Sequence, residues 1–137
     1  MSTPREHYAE VLAESPYAQL LGVEMQEDDK GLYFLLPFQP HNIGNDQLPA
    51  LHGGVIGGFL ETAALLHLLS LRESEELPRT VDFSVDYLRS GRAETLYARC
   101  SVTKHGKRVA NVLMSAWQDD PDKPVAVARA HFLLSAR

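Results

Sequence analysis

The longest apolar stretch of the sequence covers residues 53–71 and contains only two ionisable groups, Glu61 and His67. Its length is close to that of a membrane span. A carboxylate near the middle and four glycines in the first six positions are nevertheless unfavourable for a transmembrane helix. Because a helix that is apolar on nearly every face is typical of one surrounded by protein, we predict a buried core helix here and no membrane association.

The second half of the sequence alternates apolar and polar residues with a period of two, which predicts β-strands. Short turns rich in glycine, proline and charge separate four such segments, at residues 80–88, 95–104, 108–118 and 125–135. Before the helix, the pattern predicts a hairpin from the two segments 23–27 and 32–38, followed by a polar loop over residues 41–50.

The alternation also predicts which side chains face the core. In the strand at 80–88 one face carries Val81, Phe83, Val85 and Tyr87. In the strand at 95–104 the inward residues are Leu96, Ala98, Cys100 and Val102. Hairpin connections imply an antiparallel sheet, and one long helix early in the chain implies a sheet curled around it, an α+β fold.

The N-terminal residues predict helix instead of strand. The segment Thr3-Pro4-Arg5-Glu6 is a capping box with proline at the first helical position, which predicts a helix over residues 4–13. Ser15-Pro16 predicts a further helical turn that ends at residue 21. Residues 1–21 are therefore expected to form an N-terminal helical segment of a single domain that covers residues 1–137.

Composition and charge exclude several classes of function. A chain of 137 residues with 45% hydrophobic and 23% charged residues is globular, and its net charge of −5 argues against nucleic acid as a partner. Cys100 is the single cysteine, which fits a reducing compartment, so a cytoplasmic location is expected. Charges near the N-terminus argue against a signal peptide. The six histidines form no metal-ligand spacing, so no metal site is expected.

The candidate chemistry lies where the core helix begins. Gly53 and Gly54 follow His52 and open the helix, whose first N–H groups have no partner within the helix. Such a terminus favours developing negative charge, and glycine lets a ligand approach the backbone closely. Glu61 lies eight residues past Gly53 in apolar surroundings, where a lone carboxylate is costly unless it has a task. Oxyanion donors followed by an acid or base indicate acyl chemistry.

These residues resemble the motif of hotdog-fold thioesterases, specifically the phenylacetate-degradation (PaaI-like) type of acyl-CoA thioesterase. The motif is His52-Gly53-Gly54 followed, nine residues after the histidine, by the acid Glu61 and then by Thr62-Ala63. Supporting segments downstream are T-V-D-F at 80–83, Y-L-R-S-G at 87–91 and K-H-G-K-R at 104–108. The resemblance covers roughly residues 15–134.

The resemblance implies an antiparallel sheet wrapped around one long central helix, and homodimers with a continuous sheet that often pair into homotetramers. It implies active sites at the subunit interface, where the backbone N–H of Gly53, alone or with Gly54, holds the thioester oxygen. Glu61 of the partner subunit then acts as nucleophile or as general base on water, two routes that the sequence does not separate. The substrate is acyl-CoA, and no cofactor is implied beyond the coenzyme A of the substrate.

Three further polar positions follow from the resemblance. His52 is expected to shape the loop and to hydrogen-bond to the backbone, without transferring protons. Family members commonly have Asn or Gln six residues before this histidine, where this sequence has Asp46 between Asn45 and Gln47. This departure leaves the third polar group open. Thr80 matches a family hydroxyl that can hold water, although threonine at a strand start is also ordinary strand chemistry.

Basic residues cluster at two predicted turns, and similar groups in the family meet the phosphates of coenzyme A. The residues concerned are Arg89, Arg92, Lys104, Lys107 and Arg108. Solvated turn charge is the equally simple alternative. Two other functions stay open from the sequence: a hotdog hydratase or dehydratase that pairs a loop histidine such as His41 with Glu61, and a non-catalytic acyl-CoA-binding protein.

Overall fold

The computed structural model describes residues 22–38, 43–45, 50–71 and 78–134, without the side chains of 43–45 and 50. The helical segments predicted over residues 4–13 and 15–21 lie outside the described residues. Within these ranges, eight strands and one helix follow in chain order: β1 Glu24–Asp28, β2 Gly31–Leu36, β3 Ile43–Asn45, β4 Ala50–Leu51, α1 Gly53–Ser70, β5 Arg79–Tyr87, β6 Leu96–His105, β7 Val109–Trp117 and β8 Ala126–Leu133.

Six of the strands form one antiparallel sheet in the order β1-β2-β6-β7-β8-β5. β5 follows the helix in the chain, crosses to the far side of the sheet and pairs with β8. The short strands β3 and β4 pair with each other, which corrects the loop predicted over residues 41–50. Strands of three and two residues are too short to produce a recognisable alternation of apolar and polar positions.

The helix α1 supplies the centre of the core. Its buried side chains include Phe59, Leu60 and Ala63, and the helix contacts β2, β5, β6, β7 and β8. Across from it, the sheet contributes buried residues such as Phe34 and Phe132. The helix is long and apolar enough to pass for a membrane span, but its position against the sheet is that of a core helix, as predicted. The predicted fold class is therefore confirmed.

The predicted inward faces are confirmed for β6 and partly wrong for β5. Leu96, Ala98 and Cys100 are buried, and burial raises the pKa of the Cys100 thiol to about 12, as suits a small hydrophobic core residue. In β5, however, Val81 is 64% exposed. The pairing of β5 with β8 shifts register between Thr80 and Asp82, so the bulge displaces Val81 from the alternation.

His67 on α1 is expected to make stability depend on pH. Burial lowers the pKa of this imidazole below its ordinary value of 6.5, and Nδ1 is buried without a hydrogen-bond partner among the described residues. Because the unfolded chain binds this proton more readily, stability is lost as pH falls through about 6.5. His67→Gln should flatten the fall in melting temperature between neutral and mildly acidic pH.

The exposed His105 provides a matched control for this experiment. Thermal unfolding of His105→Gln should follow the pH dependence of the wild type. If His67→Gln also follows the wild type, the buried imidazole does not contribute to the acid sensitivity of the fold.

Candidate active site

The backbone around His52 begins the helix and arranges its first polar groups. His52 is the N-cap residue, with an extended backbone at φ −64° and ψ 133°. Its carbonyl oxygen accepts hydrogen bonds from the N–H groups of Val55 and Ile56, at 3.0 and 3.1 Å. Its imidazole Nδ1 accepts a third from the N–H of Gly54 at 2.9 Å. The side chain of His52 therefore makes the type of backbone contact that the resemblance implies.

The N–H group of Gly53 has no partner within the described part of this terminus. Among the described residues no acceptor lies within hydrogen-bond distance of its amide, whereas the amide of Gly54 is engaged by His52. The Gly53 amide shares a peptide group with the carbonyl of His52, which accepts two hydrogen bonds. Hydrogen bonds in series polarise one another, so the free N–H is a strengthened donor. Gly53 thus has the geometry of an oxyanion donor, and Gly54 donates elsewhere.

Tyr87, the last residue of β5, contacts the same helix terminus. Its hydroxyl donates a hydrogen bond of 2.6 Å to the carbonyl oxygen of Gly53, across 34 residues of sequence. A Cβ atom at Gly53 would lie 3.5 Å from the tyrosine ring, and one at Gly57 would lie 3.3 Å from the hydroxyl. The sequence placed Tyr87 on a strand face and in the supporting segment Y-L-R-S-G, without a role at the helix terminus. No local signal indicates this contact, because it depends on how β5 lies beside α1.

Glu61 is half-buried on α1, on the helix face that also carries Gly54 and Gly58. No described residue makes a hydrogen bond or ion pair with its carboxylate. An α-helix rises 1.5 Å per residue, so Glu61 lies roughly 12 Å along the axis from Gly53 of the same chain. A carbonyl held at the Gly53 N–H is therefore beyond the reach of the Glu61 carboxylate of the same chain.

An open depression of about 410 Å³ lies beside the helix terminus. Its lining includes Gly53, Tyr87 and Arg89, the last of which was predicted to contact coenzyme A. The full set of lining residues is Leu51, Gly53, Ile56, Tyr87, Leu88, Arg89, Ser90 and Gly91. The Nε of Arg89 donates a hydrogen bond to the carbonyl oxygen of Pro124 at 3.1 Å. The backbone N–H of Arg89 donates to the carbonyl oxygen of Val125, also at 3.1 Å. Arg89 is thus held beside the depression, with the rest of its guanidinium free of any partner among the described residues.

Of the other predicted basic residues, Arg92 belongs to the same turn as Arg89 and forms ion pairs with Glu94 and Asp119. The remaining three are not near Arg89. Lys104, Lys107 and Arg108 are exposed around the turn between β6 and β7. The register places that turn beside the beginning of β5, whereas Arg89 follows the end of β5. A nine-residue strand is roughly 27 Å long, so the two groups lie at opposite ends of the sheet. One chain alone does not bring them to a single phosphate.

The remaining predicted polar groups do not complete the site in one chain. Thr80 is exposed near the beginning of β5, seven residues and roughly 23 Å from Tyr87. Asn45 ends β3, but its side chain and the whole of Asp46 lie outside the described residues. The third polar group of the site therefore stays a prediction. Within the described ranges, no group of three or more histidine, cysteine or acidic residues is arranged to hold a metal ion.

The sequence is similar to those of known proteins. The Thioesterase superfamily matches residues 48–125, which include the helix terminus, Glu61 and Tyr87. Medium/long-chain acyl-CoA thioesterase YigI of Escherichia coli is 34% identical over 110 residues, covering 69% of this chain and 70% of that protein.

Solved structures share the fold over nearly the whole chain. A protein from Chromobacterium violaceum is 58% identical, with a TM-score of 0.77 over 96% of this chain and 91% of its own. A phenylacetic acid degradation-related protein from Ralstonia eutropha is 24% identical, with a TM-score of 0.75 over 93% of this chain and 99% of its own. The family match covers more than half of the sequence and agrees with the motif read from it. This chain belongs to the thioesterase superfamily.

Proposed function

We propose that this protein hydrolyses acyl-CoA thioesters to the free acid and coenzyme A, with medium- and long-chain acyl groups as substrates. The observation that carries the proposal is the N–H of Gly53 at a helix N-terminus, which has no acceptor among the described residues and lies beside an open depression that Arg89 also lines. The acyl-CoA activity of the 34% identical YigI supports the choice of substrate class. Hydrolysis needs only water as a second reactant, so the proposal includes no cofactor.

The proposed reaction depends on two groups, a backbone N–H donor and a carboxylate. The Gly53 N–H donates to the thioester oxygen as negative charge develops on it, and a Glu61 carboxylate attacks or activates water. In the general-base route, the Glu61 carboxylate takes a proton from water while the water oxygen bonds to the acyl carbon. The carbon–sulfur bond then breaks and the thiolate of coenzyme A takes up the proton. In the nucleophilic route, Glu61 forms a mixed anhydride and expels the thiolate, and water then hydrolyses the anhydride.

The proposed active form is a homodimer in which Glu61 of the partner subunit faces Gly53. The roughly 12 Å between these residues along one helix supports a shared site. β5 is an edge strand with exposed apolar side chains at Val81 and Tyr87, which suits pairing with a second chain. The other edge strand, β1, carries the sequence E-M-Q-E-D, and its self-pairing would set acidic residues against each other.

Antiparallel pairing of two β5 strands would also bring together predicted site residues that lie far apart within one chain. Such pairing brings the beginning of one β5 to the end of the other. Thr80 and the basic β6–β7 turn of one subunit would then lie at the same end of the sheet as Gly53 and Arg89 of its partner. We include the basic residues Arg89, Lys104, Lys107 and Arg108 as coenzyme A contacts on this basis. Pairing of dimers into tetramers and a cytoplasmic location stay predictions.

Val81→Lys is expected to weaken the dimer by more than about tenfold and to reduce activity in parallel. The change replaces an exposed apolar side chain at the β5 edge by a hydrated ammonium group, and lysine on an edge strand opposes pairing with a second chain. Sedimentation velocity over a range of protein concentrations measures the shift from dimer to monomer. Leu113→Lys is the matched control, because Leu113 is equally apolar and 47% exposed but lies on the central strand β7. A dimer that tolerates lysine at residue 81 contradicts pairing through this edge.

Release of thiol, followed with a dye across substrates from acetyl-CoA to palmitoyl-CoA, tests the proposed function directly. Release that increases with acyl length supports medium- and long-chain acyl-CoA as substrates. Water addition to an enoyl-CoA without thiol release would instead indicate the hydratase alternative. Binding of coenzyme A without release on any substrate would indicate the non-catalytic binder.

A further inference from the structure

The side chain of Tyr87 links the sheet to the peptide group between Gly53 and Gly54, next to the N–H that is the proposed oxyanion donor. Its hydroxyl donates to the carbonyl of Gly53 at 2.6 Å, although its side chain is half exposed at the end of an edge strand. The two residues after it are anchored, because the N–H groups of Leu88 and Arg89 both donate to the carbonyl of Val125. The tyrosine is therefore held at its backbone and also at its hydroxyl.

The peptide group between Gly53 and Gly54 is fixed at both ends by side chains. Its carbonyl accepts from the Tyr87 hydroxyl, and its N–H donates to Nδ1 of His52 at 2.9 Å. Consecutive glycines give a backbone unusual conformational freedom, so this stretch would otherwise be poorly oriented. Fixing this peptide limits rotation about the bonds of Gly53 and hence sets the direction of the Gly53 N–H. Catalytic donors need such support, since small misplacements are costly to rate.

The spacing of Gly53 and Gly57 has a steric explanation in the same contact. A Cβ atom at Gly57 would approach the Tyr87 hydroxyl to 3.3 Å and the Phe83 ring to 3.9 Å. The two glycines, one helical turn apart, leave a shallow groove in which the tyrosine lies. The small-residue repeat of the helix therefore serves contact with β5, which a sequence pattern alone does not distinguish from packing between helices.

We propose that Tyr87 is a positioning residue for thioester hydrolysis, which rests on the proposed function of Gly53. It acts through the Gly53 carbonyl, and it keeps the Gly53 N–H aimed at the oxygen of the substrate. The hydroxyl makes no bond to the reacting atoms in this assignment. Its contribution should therefore affect the transition state, where the oxygen carries charge, more than the binding of the intact thioester.

Tyr87→Phe tests this assignment, because it keeps the ring and removes the hydrogen bond. We expect kcat to fall by about tenfold, the upper range for loss of one hydrogen bond, with little change in KM. Tyr33→Phe is the matched control, since it removes a hydroxyl that donates to Gln26 on the hairpin of β1 and β2. Equal kcat for Tyr87→Phe and wild type would overturn the role of Tyr87 and leave the proposed function standing.

Two CoA analogues separate positioning from a merely structural role. A trifluoromethyl ketone analogue of acyl-CoA adds a nucleophile and presents an anionic oxygen, whereas a CoA thioether has no carbonyl oxygen. Tyr87→Phe should weaken binding of the ketone analogue by about the factor by which kcat falls, and it should leave the affinity for the thioether unchanged. Equal weakening of both analogues would show general damage to the pocket and overturn the assignment. A wild type that releases no thiol from any acyl-CoA would overturn the proposed function together with it.

A double-mutant cycle with Gly57→Ala provides a second measure of the same contact. The added methyl group lies 3.3 Å from the hydroxyl of Tyr87 and should displace it, with a several-fold loss of kcat. In the Tyr87→Phe background there is no hydroxyl to displace, so the same change should cost little. Additive effects of the two substitutions would contradict the coupling that the structure indicates.

Discussion

Replacing Glu61 with glutamine is expected to lower kcat for acyl-CoA hydrolysis by about 10²–10⁴-fold, the contribution typical of a positioned acid–base group. The variant keeps the size of the side chain and loses only the charged oxygen that attacks or activates water. Because the carboxylate has no partner among the described residues, its replacement leaves no described group unsatisfied, and the melting temperature should change little. Thiol release under saturating substrate, together with thermal unfolding, measures both quantities.

Glu94→Gln is the control for this substitution, since Glu94 is exposed and forms an ion pair with Arg92 in the turn before β6. Comparable turnover by Glu61→Gln and wild type would remove Glu61 from the mechanism. Hydroxylamine added during turnover of the wild type distinguishes the two routes. A mixed anhydride would be trapped as a hydroxamate on Glu61, whereas a general base would leave the side chain unmodified.

Replacing Gly53 with proline is expected to lower kcat by about 10²–10³-fold, as for loss of one oxyanion donor, or roughly 2.7–4 kcal/mol of transition-state stabilisation. Proline lacks the N–H group but suits the first position of a helix. The preceding residue, His52, already has the extended conformation that proline requires, with ψ 133°. The fold should therefore persist, and circular dichroism and the melting temperature check that it does.

Gly53→Ala serves as the matched variant, because alanine retains the N–H. Its Cβ atom would lie at an ordinary contact distance of 3.5 Å from the ring of Tyr87. We expect alanine to keep most of the activity that proline removes. Equal kcat values for the proline and alanine variants would mean that the Gly53 amide does not bind the developing oxyanion.

Mixing the two inactive variants tests whether the site is shared between subunits. In a symmetric dimer, a mixed pair of Glu61→Gln and Gly53→Pro chains contains one site with both wild-type groups. Random exchange makes half of the dimers mixed, so about a quarter of wild-type activity should return. No recovery after confirmed subunit exchange would place both groups of a site in one chain.

Local sequence was sufficient for most of the secondary structure because helix and strand periodicities depend on neighbouring residues. The apolar run predicted α1 to within one residue, and the alternation of Leu96, Ala98 and Cys100 predicted the inward face of β6. The prediction for Val81 was wrong, because one extra residue in β5 moves it out of the alternation. A bulge depends on the pairing with β8, and residues of β5 alone carry no sign of it.

For the active site, the motif at His52 predicted where the core helix begins and singled out Glu61 as the candidate acid, since both follow from spacing along the chain. The sequence left open whether Gly54 assists Gly53 as a donor, and the three-dimensional structure separates the two amides. His52 accepts a hydrogen bond from the Gly54 amide, whereas the Gly53 amide has no acceptor among the residues that the structure describes. The direction of each N–H depends on backbone angles, which composition and spacing do not specify.

The sequence by itself determined the core helix, the antiparallel strands, and the spacing between the glycine-rich helix terminus and Glu61. Tertiary structure alone decided that Tyr87 contacts Gly53 and that the basic turns lie at opposite ends of the sheet. The physical reason is the distance in sequence over which each feature forms. Periodicity and capping join residues a few positions apart, whereas the tyrosine contact joins residues 34 positions apart through the placement of β5 beside α1.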